Sequence, residues 1–275
     1  MGIIGTAYLG TNQVYGAPVV SFDSDAQAFF TAVEDGGDTL TTTEKDAVNT
    51  LVVDLKADSI WSKLQVIYPI VGGTASSVKW NLKDPQDTDA AYRMGVEGTG
   101  WTIDADGMKQ SDDGATYGDT HYAPNTNDAS TGLHMSMYVN GGTNTRGYDF
   151  AANDGGTEQG LIAGFNNNTL YGDVGGSFMT NTSFTMPLGF FSVSGNSSGQ
   201  ELYRNGTEVQ NTTTVRDTSI SLVFYLGRRN STSAPAEPTD RRYAFASLGE
   251  YLDATESSNL STAVETFQTS LSREN

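Results

Sequence analysis

The chain contains no cysteine among its 275 residues. Disulfides, thiolate metal centres and cysteine nucleophiles are therefore excluded. The absence also fits a protein that folds in a reducing cytoplasm. Histidine is nearly as scarce, with 2 residues, His121 and His134, so a Ser-His-Asp arrangement would have to use one of them. No nucleophile-elbow serine is read in the chain. His121 lies in the polar run Asp119-Thr120-His121-Tyr122 and His134 on the polar side of an alternating segment, so both read as solvated or hydrogen-bonded side chains. Basic residues are few: 15 against 33 acidic ones, for a net charge of -18. Such a surface repels phosphate, so direct contact with nucleic acid or anionic lipid is not expected, and solubility is the plainest role of the charge. No apolar run approaches the roughly 20 residues that span a bilayer, so no membrane insertion is expected. The opening, Met1-Gly2-Ile3-Ile4-Gly5-Thr6-Ala7-Tyr8-Leu9-Gly10, has no basic residue and no long apolar stretch, and is not read as a secretory signal.

What is present falls into distinct patterns. Residues 1 to about 22 are short alternating segments punctuated by Gly5, Gly10 and Gly16, read as a small hairpin. Residues 24 to 71 read as helical. Ser24-Asp25-Ala26-Gln27 and Thr41-Thr42-Thr43-Glu44 have capping-box spacing. Val48, Leu51, Val52 and Leu55 form an apolar stripe that Ile60, Trp61, Leu64 and Ile67 continue, with Trp61 expected in the core. From about 77 to 250 the period changes to two. Leu133, Met135, Met137 and Val139 share one face; His134, Ser136, Tyr138 and Asn140 share the other. Ser183-Phe184-Thr185-Met186 alternates likewise. Glu201 to Val209 carries Asn205-Gly206 at its centre, a hairpin signal, and Ser219 to Leu226 reads as a further strand. The tail returns to helix behind a third capping box, Asp253-Ala254-Thr255-Glu256, with Leu260, Ala263, Val264, Phe267 and Leu271 on one face. The predicted fold is mainly β: an antiparallel sandwich with accessory N- and C-terminal helices. Its parts are an arm at 1–22, a helical segment at 23–76, the sandwich at 77–252 and a helix at 253–275.

Two resemblances attach to particular residues. Leu202-Tyr203-Arg204-Asn205-Gly206, Tyr225-Leu226-Gly227-Arg228 and Tyr243-Ala244-Phe245-Ala246-Ser247-Leu248-Gly249 together resemble the concanavalin A-like and laminin G-like jelly rolls. The stretch from Thr41 through Leu55, Trp61, Tyr68-Pro69, Val71 to Ala75 and Asn81 to Pro85 is similar to a segment of tailed-bacteriophage structural proteins. So is Ala244 to Gly249 with Ala263 to Thr269, and Tyr8 to Tyr15 resembles the Tyr-Leu-Gly units of phage fibre and tail proteins. The resemblance implies a virion structural protein of head-fibre, tail-fibre or decoration type with a lectin-like body. It would be made in the host cytoplasm and carried on the particle. The implied partners are other virion proteins, further copies of the chain and host surface glycans. A carbohydrate-binding lectin module and a glycan-degrading enzyme are the rival functions.

Chemistry is sparse. Glycosidase action needs two carboxylates flanking one bond, and the jelly-roll version sets them in a Glu-x-Asp-x-x-Glu run that is not found here. Glu97, Asp104 and Asp106 are the nearest acids to strand-like segments, at other spacings. The chain is accordingly expected not to be an enzyme and to need no cofactor. Asp104-Ala105-Asp106-Gly107 and Ser111-Asp112-Asp113-Gly114 superficially resemble calcium loops, but the first is better read as a hairpin turn. Arg228, Arg229, Arg241 and Arg242 flank a Ser/Pro/Ala-rich loop. They are candidate contacts for a ligand or partner carboxylate, or else neutralise nearby acids. Tyr8, Leu9, Val14 and Tyr15 are the candidate contacts of the N-terminal arm, which either docks on a neighbour or adds an edge strand to its own sandwich.

Overall fold

The computed structural model describes residues 21–126, 132–143, 147–155, 157–165, 169–182, 188–217, 219–232 and 237–274. The arm with Tyr8, Leu9, Val14 and Tyr15, and the Ser183–Met186 segment, lie outside them. In chain order, α1 (Ser24–Asp35) and α2 (Thr42–Ala57) lead to β1 (Leu64–Tyr68) and the single-turn α3 (Ala75–Val78). Short strands follow: β2 (Gly95–Glu97), β3 (Thr102–Asp104), β4 (Gly107–Lys109) and β5 (Tyr117–Asp119). Then come β6 (Leu133–Gly141), β7 (Phe150–Asn153), β8 (Glu158–Ile162), β9 (Leu170–Asp173), β10 (Met179–Asn181), β11 (Gly189–Gly195), β12 (Gln200–Arg204) and β13 (Thr207–Thr212). The chain closes with β14 (Tyr225–Leu226), β15 (Arg229–Ser231), β16 (Arg242–Gly249) and α4 (Ala254–Ser270).

The strands form two 8-stranded sheets. One runs β13-β12-β11-β6-β16-β4-β3, with β1 also on β16; the other runs β10-β9-β8-β7-β14-β5-β2, with β15 also on β7. Pairing is antiparallel throughout except β15 with β7. This is the expected mainly-β sandwich with terminal helices. Period-two alternation explains the layering. Leu133, Met135, Met137 and Val139 of β6 enter the core between the sheets with Phe191, Val193, Leu161 and Phe150. The opposite face of the first sheet, with Tyr138, Phe190, Ala244 and Phe245, lies under the helices against Phe29, Leu51, Leu260 and Phe267. The order is thus helices, first sheet, second sheet. The outer face of the second sheet carries no helical layer among the described residues.

Local signals account for several elements. Thr41 and Asp253 close full capping boxes with Glu44 and Glu256. Asn205 (φ 47°) and Gly206 (φ 72°) both occupy the left-handed region that a two-residue hairpin loop demands, and they join β12 to β13. Other expectations are corrected. The first helix is capped by Asp23, whose side chain accepts from the Asp25 amide, and not by Ser24. The helical reading of 24–71 ends at Ala57, and Leu64–Tyr68 is a strand. Its β-branched and aromatic residues pair with β16, whose ladder needs a partner along Ala246–Gly249. Ser219–Leu226 is a strand only at Tyr225–Leu226. Val48, Leu51, Leu55, Leu260, Val264 and Phe267 are buried as expected. Trp61 is half-buried instead, because Lys83 (3.8 Å) and Lys56 (5.4 Å) lie over its ring at the surface.

His134 is buried and hydrogen-bonded, the second of the two environments expected for it. The side of β6 that looks polar in sequence faces the helices, so its polar groups are satisfied internally. His134 Nδ1 lies 3.0 Å from the Glu250 carbonyl and Nε2 3.0 Å from Ser247 Oγ, which is 2.6 Å from Ser136 Oγ.

Candidate functional site

On the open face of the second sheet the register sets Ile162 opposite Tyr171, and Tyr171 opposite Thr180. One row further, Tyr225, Ala151 and Gly160 lie across β14, β7 and β8. Tyr148 enters from the chain leading into β7, Phe165 from the turn after β8 and Phe178 from the turn before β10. The result is a ladder of four rings in edge-to-face contact. Tyr148 meets Phe165 at 6.0 Å, Phe165 meets Tyr171 at 5.7 Å, and Tyr171 meets Phe178 at 6.0 Å between centroids. This geometry suits the quadrupoles of the rings, positive edge on negative face. The ladder lines a shallow groove of about 100 Å³ with Ile162. Phe165, Tyr171 and Phe178 remain half-exposed, so apolar ring surface meets solvent there.

Two charged networks hold the ladder in place. Arg229 stacks over the Tyr148 ring at 4.3 Å and donates Nη1 to the Tyr148 hydroxyl at 2.8 Å. Its charge is taken up by Glu158, at 3.0 Å to both carboxylate oxygens, and by Glu237 at 3.7 Å. Burial first, and then Glu158, raises the Tyr148 phenol above its ordinary range, so the hydroxyl stays protonated. Beneath, Arg241 and Asp149 form an ion pair with neither side chain exposed. Arg241 Nη1 lies 2.9 Å from each Asp149 oxygen, and Nη2 donates to the Gly164 carbonyl. Asp149 accepts from the Ala163 amide at 2.7 Å and the Tyr243 hydroxyl at 2.7 Å. The turn carrying Phe165 is thereby fastened to β16 of the other sheet. At the other end Asp173 accepts the Gly175 amide at 2.7 Å and shapes the turn that delivers Phe178.

The four arginines singled out by sequence divide. Arg229 borders the aromatic groove and Arg241 is sealed beneath it, beyond a partner's reach. Arg242 pairs with Asp104 and, at 3.5 Å, with Asp106 on the first sheet. Arg228 lies 4.2 Å over Tyr117, which stacks on Tyr225 at 4.2 Å. The residues resembling calcium loops have other work. Asp104 to Gly107 turns β3 into β4, and Asp113 accepts from the Ala115 and Thr116 amides. Among the described residues no three of His, Asp or Glu gather as a metal-holding group. Gly195-Asn196-Ser197-Ser198-Gly199 does spell the nucleophile-elbow letters, against the reading of the sequence. It is the turn between β11 and β12, strand to strand and not strand to helix.

A wider groove, about 780 Å³, lies on the helical side between α1 and residues 80–87. Its Trp80 is buried and has Lys79 over its ring at 4.5 Å, so it offers no comparable aromatic surface.

No protein-family model and no curated protein matches the chain. Solved structures do. The botulinum neurotoxin serotype D binding domain is similar with a TM-score of 0.51 and 12% identity, over 74% of this chain and 52% of that one. Domain 4 of a GH43 extracellular arabinanase from Geobacillus stearothermophilus, solved with arabinotriose, gives 0.43 and 16%, over 72% and 98%. A Trypanosoma rangeli sialidase mutant displaying trans-sialidase activity gives 0.48 and 12%, over 80% and 39%. The chain spans 28 to 39% of the sialidase chains of that organism that it matches. At these identities the likeness is one of fold, a β-sandwich of two sheets. It corrects the expectation of a non-enzymatic chain. The similar structures include an arabinanase domain and sialidases, and the lack of one sequence run excludes no activity.

Proposed function

We propose that the chain is a carbohydrate-binding β-sandwich whose ligand lies on the open face of the second sheet. The ladder of Tyr148, Phe165, Tyr171 and Phe178 carries this reading. A sugar ring has a face of C–H groups and a rim of hydroxyls. Half-exposed aromatic rings accept the first, and the neighbouring carboxylates and phenols bond the second. A preformed ladder also loses little side-chain freedom on binding. Titration calorimetry against hits from an oligosaccharide array tests this. Tyr171→Ala should weaken binding by about tenfold or more, the loss of roughly 1.4 kcal/mol, without a change of fold by circular dichroism. Absence of any glycan ligand for the unaltered chain, together with self-association that Tyr171→Ala abolishes in sedimentation, would replace this reading with a protein interface.

The finer reading is that this sandwich is displayed on a bacteriophage particle and touches host glycans there, among other virion proteins and further copies of itself. The likenesses of residues 41–85 and 244–269 to phage structural proteins support it. Antibody raised against the chain should decorate purified virions in electron micrographs; undecorated particles would refute the placement.

A further inference from the structure

The outer face of the second sheet holds a second aromatic group. Tyr225 is opposite Ala151 and Asp119, and Tyr117 is opposite Glu97, so these side chains project to the same side as the aromatic ladder. Tyr117 and Tyr225 stack at 4.2 Å with 26° between their planes, and both remain half-exposed. Arg228 lies 4.2 Å from the Tyr117 ring and 5.4 Å from that of Tyr225, and donates to the Gly114 carbonyl. Between the two groups the cross-strand row is built of Ala151 and Gly160; a Cβ on Gly160 would come within 2.8 Å of the Ala151 methyl. No large side chain rises from those two positions. From β9 to β5 the sheet order counts four strand spacings, roughly 19 Å at about 4.8 Å each. One sugar ring covers much less than that.

Charge narrows the ligand further. Arg229, between the two groups, is already balanced by Glu158 and Glu237. Glu97 and Asp119 flank the tyrosine pair, and Asp119 also faces His121 at 3.5 Å. The whole chain carries -18. Carboxylates around a shallow face accept hydroxyl hydrogens and repel anions.

We infer that Tyr117, Tyr225 and Arg228 form a second subsite, and that the ligand is an uncharged oligosaccharide of several units lying across the strands from Tyr171 to Tyr225. This rests on the carbohydrate-binding reading above. The test is calorimetry with uncharged oligosaccharides of increasing length from one array-positive series, beside the same sugars ending in sialic or uronic acid. Affinity should rise with length until both groups are spanned. Tyr225→Ala should remove about tenfold from the longest member and leave the shortest unchanged, whereas Tyr171→Ala should weaken both. Arg228→Gln, which keeps the tyrosine stack, should reproduce part of the Tyr225→Ala loss; this guards against a variant that merely misfolds. Affinity that does not depend on length, or a longest member indifferent to both Tyr225→Ala and Arg228→Gln, would overturn the second subsite and leave the ladder's role intact. Stronger binding of the acidic-ended sugars would overturn the uncharged assignment. Failure of every sugar to bind would sink the carbohydrate reading itself.

Discussion

Arg241→Ala should destabilise the fold by roughly 3 to 5 kcal/mol, the range for removing one partner of a buried ion pair. Asp149 would be left charged and fully buried, with only the Ala163 amide and the Tyr243 hydroxyl to hold it. The Gly164 carbonyl would lose its donor as well. Desolvation makes the single loss costly, and an exposed pair would show nothing comparable. Replacing both partners with apolar residues, Arg241→Met with Asp149→Leu, should therefore cost less than Arg241→Ala alone. Urea melts of the three chains decide it. A single-variant loss below about 1 kcal/mol, or a double variant worse than the single, would show that the pair is not held as described. The same variant should weaken glycan binding, because the turn bearing Phe165 is fastened through Arg241.

Much of the frame was legible because its signals are local. Capping boxes at Thr41 and Asp253 mark helix starts within four residues, and Asn205-Gly206 marks a hairpin by backbone conformation alone. Alternation along Leu133–Val139 needs only one strand to be read. Errors came where a tertiary partner decides. Leu64-Gln65-Val66-Ile67-Tyr68 follows a helical stripe and is apolar enough to prolong it, yet β16 recruits it into a sheet. The polar side of β6 left solvent and internal hydrogen bonds both open; the helices cover it, which a single strand cannot announce.

The candidate site was almost illegible for the same reason. Tyr148, Phe165, Tyr171 and Phe178 come from separate strands and turns, and only the register of β7 to β10 brings the rings edge to face. Each alone reads as a core residue. The paired arginines were visible as a pattern, but sequence could not divide them. Arg241 and Arg242 are neighbours whose side chains diverge, one into the space between the sheets and one to Asp104 and Asp106. One hint lay in the sequence: Tyr148, Phe165, Tyr171 and Phe178 crowd into a region rich in glycine and asparagine.

Lowering the pH from 7 to 4 should remove about 3 kcal/mol of stability through His134 alone. The Glu250 carbonyl can only accept, so His134 Nδ1 carries the proton and Nε2 accepts from the Ser247 hydroxyl. Burial disfavours the imidazolium and, with Lys63 adding a little, outweighs the Glu250 hydrogen bond, taking the group from 6.5 down to about 4. The unfolded chain therefore takes up a proton near 6.5 while the folded one resists until about 4. Stability from this group is complete above 6.5 and is lost as the pH falls through that window to 4; at about 1.4 kcal/mol per pH unit the loss is about 3 kcal/mol. Asp173 works in the opposite sense. Burial raises its carboxyl from 3.8 to about 6, so it favours the folded state at low pH and gives that up as pH rises through 6. The two partly cancel between about 4 and 6, and the net decline should be steepest just above that range, where His134 acts against little opposition. His134→Gln keeps a side-chain donor for Glu250 and cannot charge. It should cost stability at pH 7 yet abolish the acid decline and leave the opposite slope of Asp173, while Asp173→Asn should steepen the decline. Urea midpoints of the three chains at pH 7, 6, 5 and 4 separate the contributions; parallel slopes for the unaltered chain and His134→Gln would show that His134 is not the buried neutral imidazole that the fold requires.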